Sequence, residues 1–234
     1  MDNIYLRDIS ENDKDDYIKL QEETWINPKR LEGENASSVW ENKLADESIN
    51  SVITDGKNVI GFCGIKKNHS LYPEMEIEIF KKYQHNGFGF KALQLLMEKT
   101  KAIYDSNIFS ARVMPDNYPC ILLMRKIGAK PVGVKRNMLL EEDDDAIVWE
   151  KNKFLLNDNL IKVASVFKVD PKILLSHELV FYIDYSNDVK PQFQIELIGD
   201  LTYSKDIERN IMIYCLYGWL DFLDDYKKRY KDNE

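Results

Sequence analysis

A short turn with two glycines, residues 84–89, could bind an anion. It consists of Gln84, His85, Asn86, Gly87, Phe88 and Gly89. The strand-like run Met75–Phe80 precedes it, and a helical run from Phe90 to Tyr104 follows. A strand, a turn and a helix in this order present unpaired backbone N–H groups at the positive end of the helix dipole, where a phosphate binds. Glycines favour such a site because they leave the backbone uncovered and adopt positive φ without strain.

The spacing of this turn excludes two common nucleotide-binding motifs. No Lys-Ser or Lys-Thr pair follows the second glycine, as the phosphate loop of an NTPase requires. The sequence also lacks the third glycine in register and the leading βαβ unit of a dinucleotide-binding fingerprint.

Three carboxylates alternate with apolar residues in the strand before the turn. They are Glu74, Glu76 and Glu78. A period of two places all three on one face of the sheet. Crowding of like charges on a partly buried face raises the pKa of at least one of them and attracts a cationic amine. A solvated strand face with solubilising acids explains the same pattern, so both interpretations stay open.

The turn resembles the acetyl-CoA pyrophosphate loop of the GNAT N-acetyltransferase superfamily, whose pattern is Gln/Arg-x-x-Gly-x-Gly/Ala. A second match lies downstream. The segment Asn117–Ala129, with the sequence NYPCILLMRKIGA, resembles the fourth helix of that family, Asn-x-x-Ser/Ala/Cys-x-x-Leu-Tyr-x-Lys-Leu-Gly-Phe. The two motifs occur in the expected order, and the resemblance covers roughly residues 3–140.

The resemblance implies an α/β (α+β) fold, the GNAT acyl-CoA N-acyltransferase fold. Its sheet is mixed, mostly antiparallel and twisted, and its fourth and fifth strands splay apart. Periodicity and turn signals predict the element order β-α-α-β-β-β-α-β-α-β over the same residues. The Asp55-Gly56 pair predicts the hairpin between the second and third strands.

The resemblance also implies acetyl-CoA as co-substrate and a set of residues that bind it. The backbone of Ile79 and Phe80 would pair with the pantetheine arm, and the amides of residues 84–89 would hold the pyrophosphate. Asn117 would meet the cofactor from the other side. Three lysines could bind the ribose phosphate, or could be ordinary exposed lysines: Lys81, Lys82 and Lys91.

The implied reaction is direct attack of an amine on the thioester, assisted by a backbone N–H that stabilises the oxyanion. In the family a glutamate of the fourth strand often acts as general base, for which we choose Glu76 first and Glu78 second. His69 is a further candidate base. His85 fits better as part of the turn, where its N–H meets phosphate or solvent.

The sequence departs from the family pattern in its fourth helix. Met124 stands where the family usually has the tyrosine that protonates the leaving thiolate, and methionine cannot donate a proton. A thiol with a pKa near ~8.5 leaves as thiolate with only a mild penalty near neutral pH. The change to methionine therefore bears on the catalytic step more than on cofactor binding.

Composition limits the other functions. The chain has 234 residues, a net charge of −8 and a pI of about 5.1, and it shows no basic stripe for nucleic acid. Three cysteines in apolar segments indicate buried thiols, without disulfides or a metal cluster. The longest apolar block, Ile211–Leu220, is shorter than the ~18 residues of a membrane span. With no leader pattern at the start, we expect a cytoplasmic protein without a membrane segment.

The sequence changes character after residue 140. We interpret 1–140 as the acetyltransferase domain, the five acids at 141–145 as a linker, and 146–234 as a smaller α+β extension of unknown role. The extension is predicted to contain the strand pair Leu179–Tyr185 and Phe193–Ile198, and a final helix from Ser204. The apolar part of this helix packs within the protein or forms a homodimer interface.

The sequence therefore predicts an N-acetyltransferase that transfers an acetyl group from acetyl-CoA to a primary amine of a small molecule or peptide. A catalytically inactive acyl-CoA-binding module with a C-terminal interaction or regulatory domain is the alternative. A transferase that uses a longer acyl-CoA or an aminoacyl donor is a third interpretation.

Overall fold

The structure is a computed structural model that describes residues 3–24, 34–45, 49–66, 72–114, 117–136, 158, 161, 164–165, 171 and 177–185. The strands within these residues are β1 (Tyr5–Asp8), β2 (Ile49–Thr54), β3 (Val59–Lys66), β4 (Glu74–Ile79), β5 (Ile108–Val113), β6 (Lys130–Arg136) and β7 (His177–Asp184). The helices are α1 (Lys14–Thr24), α2 (Glu34–Ala45), α3 (Phe88–Tyr104) and α4 (Tyr118–Ile127). The predicted element order through β6 is confirmed.

The seven strands form a sheet in the order β1-β2-β3-β4-β5-β7-β6. The pairs β1–β2, β2–β3, β3–β4 and β6–β7 are antiparallel. β4 and β5 run parallel and pair at Glu74 and Ser110, where the Ser110 N–H also donates to the Pro73 carbonyl at 2.9 Å. Beyond this pair the described residues of the two strands make no further register pair, so the strands diverge. The predicted mixed sheet with splayed fourth and fifth strands is confirmed.

The chain divides into two compact units. The first comprises residues 1–111, 125–128 and 183–191, and the second comprises 112–124, 129–182 and 192–234. The helices α1, α2 and α3 and the strands β1 to β4 belong to the first unit. Most of α4 and all of β6 belong to the second.

The entry to α1 is fixed by a charge cluster around Asp13. The Ser10 N–H and hydroxyl both donate to the Asp13 carboxylate at 2.9 Å, and Arg7 Nη1 donates to it at 2.8 Å. The hydrogen bond from Arg7 holds the pKa of Asp13 below its usual range. A short 3-10 turn, Glu11–Asp13, directly precedes α1.

The helices α1 and α2 cover one face of the sheet. The buried core on this face comprises Tyr17, Leu20, Trp40, Val52, Phe62 and Phe80. The Tyr17 ring meets the Phe62 ring edge-on with 5.1 Å between centroids. Because Phe62 is the register partner of Glu78, this is also the face that carries the glutamates of β4.

The helix α3 packs on the opposite face. Its apolar stripe is fully buried and comprises Ala92, Leu93, Leu96 and Met97. The Lys99 Nζ of α3 lies 3.0 Å from the Ser51 Oγ of β2. Because Ser51 and Val52 are adjacent in the strand, their side chains point to opposite faces, and Val52 belongs to the core under α1 and α2. Burial of Cys63 on this face raises the pKa of its thiol to about 12, as expected for an unreactive core cysteine.

The strand β7 is the part of the fold that the sequence does not place. The predicted strand at 179–185 exists, but it pairs with β6 and lies between β5 and β6 in the sheet. Its predicted partner at 193–198, the acidic run 141–145 and the final helix from Ser204 lie outside the described residues. The division into 1–140 and 146–234 stays a prediction, although the sheet takes one strand from the later part.

Gly61 in β3 lies against the backbone of β4. A Cβ atom at this position would be 2.1 Å from the Glu78 carbonyl oxygen and 3.0 Å from the Ile79 Cα. Because backbone atoms in a central strand cannot move without disturbing the ladder, we expect Gly61→Ala to lower the free energy of unfolding by about 1–3 kcal/mol. Urea denaturation followed by circular dichroism measures this, and an unchanged midpoint would contradict the close approach.

Candidate active site

The three glutamates of β4 lie on one sheet face, as the alternation predicts. Their register partners in β3 are Lys66, Gly64 and Phe62. Glu74 is 2% exposed, and Glu76 and Glu78 are half-buried. The face is therefore covered by α1 and α2 rather than fully solvated, and charges on it need partners.

Glu78 is held by a neutral donor. The Gln21 Nε2 of α1 donates to Glu78 Oε2. Burial raises the pKa of Glu78, while Lys43, the hydrogen bond from Gln21, and Lys66 oppose the rise. The expected raised pKa is present at Glu78, but its cause is burial and not the repulsion between neighbouring glutamates.

Glu76 is held by two cations. Its Oε1 contacts the Lys43 Nζ of α2, and its Oε2 lies 3.4 Å from the Lys66 Nζ. Each oxygen already has an ammonium partner, with which an acceptor amine would compete. The two candidate bases thus sit in different surroundings two residues apart.

The glycine turn has the geometry of an anion cradle. His85 and Gly87 both have positive φ, 63° and 81°, and His85, Asn86 and Gly87 are exposed. Gly87 is the N-cap of α3, and among the described residues no side chain caps this helix. The Gly87 carbonyl accepts from the Lys91 N–H at 3.2 Å, which begins the helical ladder.

The amides in the first turn of α3 are the donors of this cradle. Those of Phe88, Gly89 and Phe90 precede the first intrahelical donor and point out of the helix end. Among the described residues, and apart from the chain immediately around Gly87, no heavy atom lies within 4 Å of the position that a Cβ on Gly87 would occupy. The cradle is open where an anion would approach.

Gln84 acts on the strand before the turn. Its Nε2 donates to the Ile79 carbonyl at 2.9 Å, and its own carbonyl accepts from Asn86 Nδ2 at 3.0 Å. The 3-10 turn Lys81–Tyr83 connects β4 to the glycine turn. The Lys81 N–H donates to Glu23 Oε2 at 3.1 Å. These bonds fix the cradle to the end of β4.

The backbone of β4 offers alternate residues to β3 and to the side of β5. The Phe80 N–H donates to the Ile60 carbonyl at 3.1 Å, so Phe80, like Glu78, faces β3. Ile77 and Ile79 consequently direct their N–H and C=O groups toward the side where β4 and β5 have diverged. Of the two residues predicted at this edge, Ile79 faces it, and the neighbouring position on the edge is Ile77 and not Phe80.

Two predicted residues lie at the start of α4 and within it. Asn117 is the residue before this helix, and its Oδ1 accepts from the Cys120 N–H at 3.3 Å, as an N-cap does. Met124 is 1% exposed, so its side chain is part of the packing. His69 lies outside the described residues. Lys81, Lys82 and Lys91 are all exposed.

Sequence reasoning missed three residues of the site, namely Gln21, Glu23 and Lys43. Gln21 lies on the apolar face of α1, and a polar residue on such a face was the available signal. Glu23 and Lys43 look like ordinary surface charges in the sequence. Their partners Lys81 and Glu76 are 58 and 33 positions away, which no local pattern reveals.

The family model described as acetyltransferase (GNAT) domain matches residues 3–130, more than half of the chain. The chain therefore belongs to the GNAT acetyltransferase family, whose enzymes use acetyl-CoA as co-substrate. No match was found among curated proteins.

Solved structures share the fold at low sequence identity. Spermidine N-acetyltransferase from Vibrio cholerae in complex with CoA and spermine is 16% identical, with a TM-score of 0.52, over 78% of this chain and 96% of that one. An N-acetyltransferase from Staphylococcus aureus Mu50 is 15% identical, with a TM-score of 0.52, over 79% and 99%. A Salmonella typhimurium structure with its cofactor acetyl-CoA is 12% identical, with a TM-score of 0.51, over 81% and 98%.

None of the helices in the described part of the chain has the length and apolar character needed to cross a bilayer.

Proposed function

We propose that the protein transfers the acetyl group of acetyl-CoA to a primary amine of a small molecule or peptide, with Glu78 as the general base. The observation that carries this proposal is the half-buried Glu78 carboxylate, whose pKa burial raises. It lies on the strand that leads into the cradle. A carboxylate with a raised pKa accepts a proton more readily near neutral pH than an ordinary glutamate does.

The residues present fit the cofactor. The open space at Gly87 and the outward amides of Phe88, Gly89 and Phe90 suit a pyrophosphate. The edge of β4 that has diverged from β5 presents the N–H and C=O of Ile77 and the N–H of Ile79, while the Ile79 carbonyl already accepts from Gln84. Such an edge suits an extended arm that adds to a sheet by backbone hydrogen bonds. Asn117 as a further contact, and Lys81, Lys82 and Lys91 for the ribose phosphate, remain proposals of the same kind.

The acceptor is proposed to be a small cationic amine. The Vibrio cholerae structure contains spermine, and this chain carries three glutamates on the face covered by α1 and α2. Carboxylates on a partly buried face favour an ammonium ion. Because Lys43 and Lys66 already neutralise much of this charge, the site favours a compact amine over an extended polycation.

The reaction balances with one base and one leaving group. The amine nitrogen forms a C–N bond to the thioester carbonyl carbon, the C–S bond breaks, and the sulfur leaves as thiolate. The acceptor ammonium first loses one proton to Glu78, which gives its nitrogen the lone pair for the attack. The second proton, lost as the amide forms, passes to solvent, and solvent protonates the thiolate. Acetyl-CoA supplies the activated acyl group, while the protein positions the amine and accepts its proton.

The buried Met124 supports the alternative of an inactive acyl-CoA-binding module. Its side chain is packed and cannot protonate a leaving group. Loss of such an acid slows a reaction without preventing it, since a thiol of pKa near ~8.5 leaves readily. Turnover against a panel of amines distinguishes the two, because tight CoA binding with no turnover on any amine favours the inactive module.

The donor is tested by thermal stabilisation. We expect acetyl-CoA at 100 times its Kd to stabilise the protein by roughly 2.7 kcal/mol, and CoA and the other acyl-CoAs are added at that same concentration. Acyl-CoAs with longer chains are the comparison, and differential scanning fluorimetry is the measurement. If the longer chains stabilise more than acetyl-CoA, the donor proposal is wrong.

A homodimer through the C-terminal region also stays a prediction, which analytical ultracentrifugation tests.

A further inference from the structure

We infer that Gln21 is a positioning residue for the transfer reaction, whose side-chain amide orients the Glu78 carboxylate and keeps it ready to accept a proton. The inference rests on the proposed function, since it requires Glu78 to be the general base.

Gln21 occupies a position where an apolar side chain would be expected. It lies in α1 beside Leu20, is 1% exposed, and shares its helix with the core residue Tyr17. Burial of an amide without a partner is costly, and the Gln21 Nε2 meets this cost by donating to Glu78 Oε2. The hydrogen bond to Glu78 therefore explains why a polar residue occupies this buried position on the apolar face of α1.

The charges around Glu78 are arranged so that a neutral donor makes the direct contact. Lys43 from α2 and Lys66 from β3 face it, and both contact Glu76. Glu74 and Glu76 face it from its own strand, and the Tyr17 phenol lies on α1. Among the described residues, Gln21 supplies the hydrogen bond to the Glu78 carboxylate.

A neutral donor has a chemical consequence that a cation would not have. An amide hydrogen bond favours the carboxylate form, but less than a directly bonded ammonium does, so the group keeps its ability to take up a proton. The bond engages Oε2, and within the described part of the chain Oε1 has no hydrogen-bond partner. Gln21 therefore leaves Oε1 as the oxygen that receives the proton from the acceptor.

The test compares pH profiles of kcat/KM for wild type, Gln21→Leu and Gln21→Glu with acetyl-CoA and one accepted amine. Without the donor the Glu78 carboxylate is less stabilised, so its pKa rises and the acid limb moves to higher pH. We expect activity on that limb to fall roughly tenfold or more at fixed pH in Gln21→Leu. Gln21→Glu keeps the size of the side chain, and its like charge shifts the limb in the same direction.

The amine itself titrates identically with all three proteins, so a difference between the limbs belongs to the enzyme. A purely structural role for Gln21 would lower the plateau or the melting temperature and leave the limb in place, which would overturn the inference. An unshifted limb in the isosteric Gln21→Glu would do the same even if Gln21→Leu failed to fold.

Combination with Glu78→Gln separates this inference from the proposed function. If Gln21 acts through Glu78, adding Gln21→Leu to Glu78→Gln reduces kcat no further. If Glu78→Gln alone keeps the wild-type kcat, the general base is wrong and the role of Gln21 falls with it. If Glu78→Gln is slow but the limb of Gln21→Leu does not move, the inference about Gln21 alone is refuted.

Discussion

Glu78→Gln is expected to lower kcat by roughly 10²- to 10⁴-fold, the usual contribution of a general base. The affinity for acetyl-CoA should be unchanged, because the cradle and the free edge of β4 use backbone groups. Steady-state kinetics with a small primary amine, together with calorimetric titration of CoA, measure both quantities. The wild-type acid limb should lie above the ordinary glutamate range, because burial raises the pKa of Glu78.

The same substitution should not destabilise the protein. Because the pKa of Glu78 is higher in the folded state than in the unfolded state, ionising Glu78 lowers the free energy of unfolding. This cost develops as the pH rises from the unfolded-state pKa through the folded-state pKa. Above this window the cost is fully present, and an uncharged glutamine of the same shape removes it. We expect a free energy of unfolding equal to or above that of the wild type, which separates lost chemistry from lost folding.

Glu76→Gln is the matched control on the same strand. It breaks the ion pair with Lys43 and weakens the contact with Lys66, so we expect it to reduce stability more than Glu78→Gln does. Its effect on kcat should be the smaller of the two. If Glu76→Gln abolishes turnover and Glu78→Gln does not, the base is Glu76, as the sequence alone favours, and the choice made from the contacts is wrong.

Gly87→Val is expected to weaken CoA binding by roughly 10- to 100-fold. Gly87 has a φ of 81°, and its Cβ would enter the open space in front of the amides at the start of α3. Loss of one hydrogen bond from such an amide to a charged phosphate corresponds to about tenfold or more in Kd. Isothermal titration calorimetry with CoA measures the effect.

Gly56→Val is the control for backbone strain. Gly56 also has a positive φ, 93°, but it lies in the hairpin between β2 and β3, where a Cβ would approach the exposed Tyr5 side chain. Both substitutions should cost roughly 1–3 kcal/mol of stability, and only the one at Gly87 should change CoA affinity. Equal CoA affinities for the two variants would show that the turn does not hold the pyrophosphate.

The sequence by itself determined the parts of the site that depend on local order. A strand, a glycine turn and a helix in succession place the cradle at the start of α3, because the turn needs positive φ and the helix end needs partners. Alternation along β4 places its three glutamates on one face for the same local reason. These features follow from neighbours in the chain, and the structure shows them where they are expected.

Only the tertiary structure decided which carboxylate suits proton transfer and where the sheet ends. The sequence ranks Glu76 before Glu78 but does not show their contacts, which differ because α2 brings Lys43 to Glu76 while α1 brings Gln21 to Glu78. Likewise β7 enters the sheet from beyond residue 176 because β6 supplies its antiparallel partner. These contacts join residues 33 and 57 positions apart, and the packing of helices on the sheet sets them. Local sequence patterns cannot predict them, because such patterns describe only residues that are neighbours in the chain.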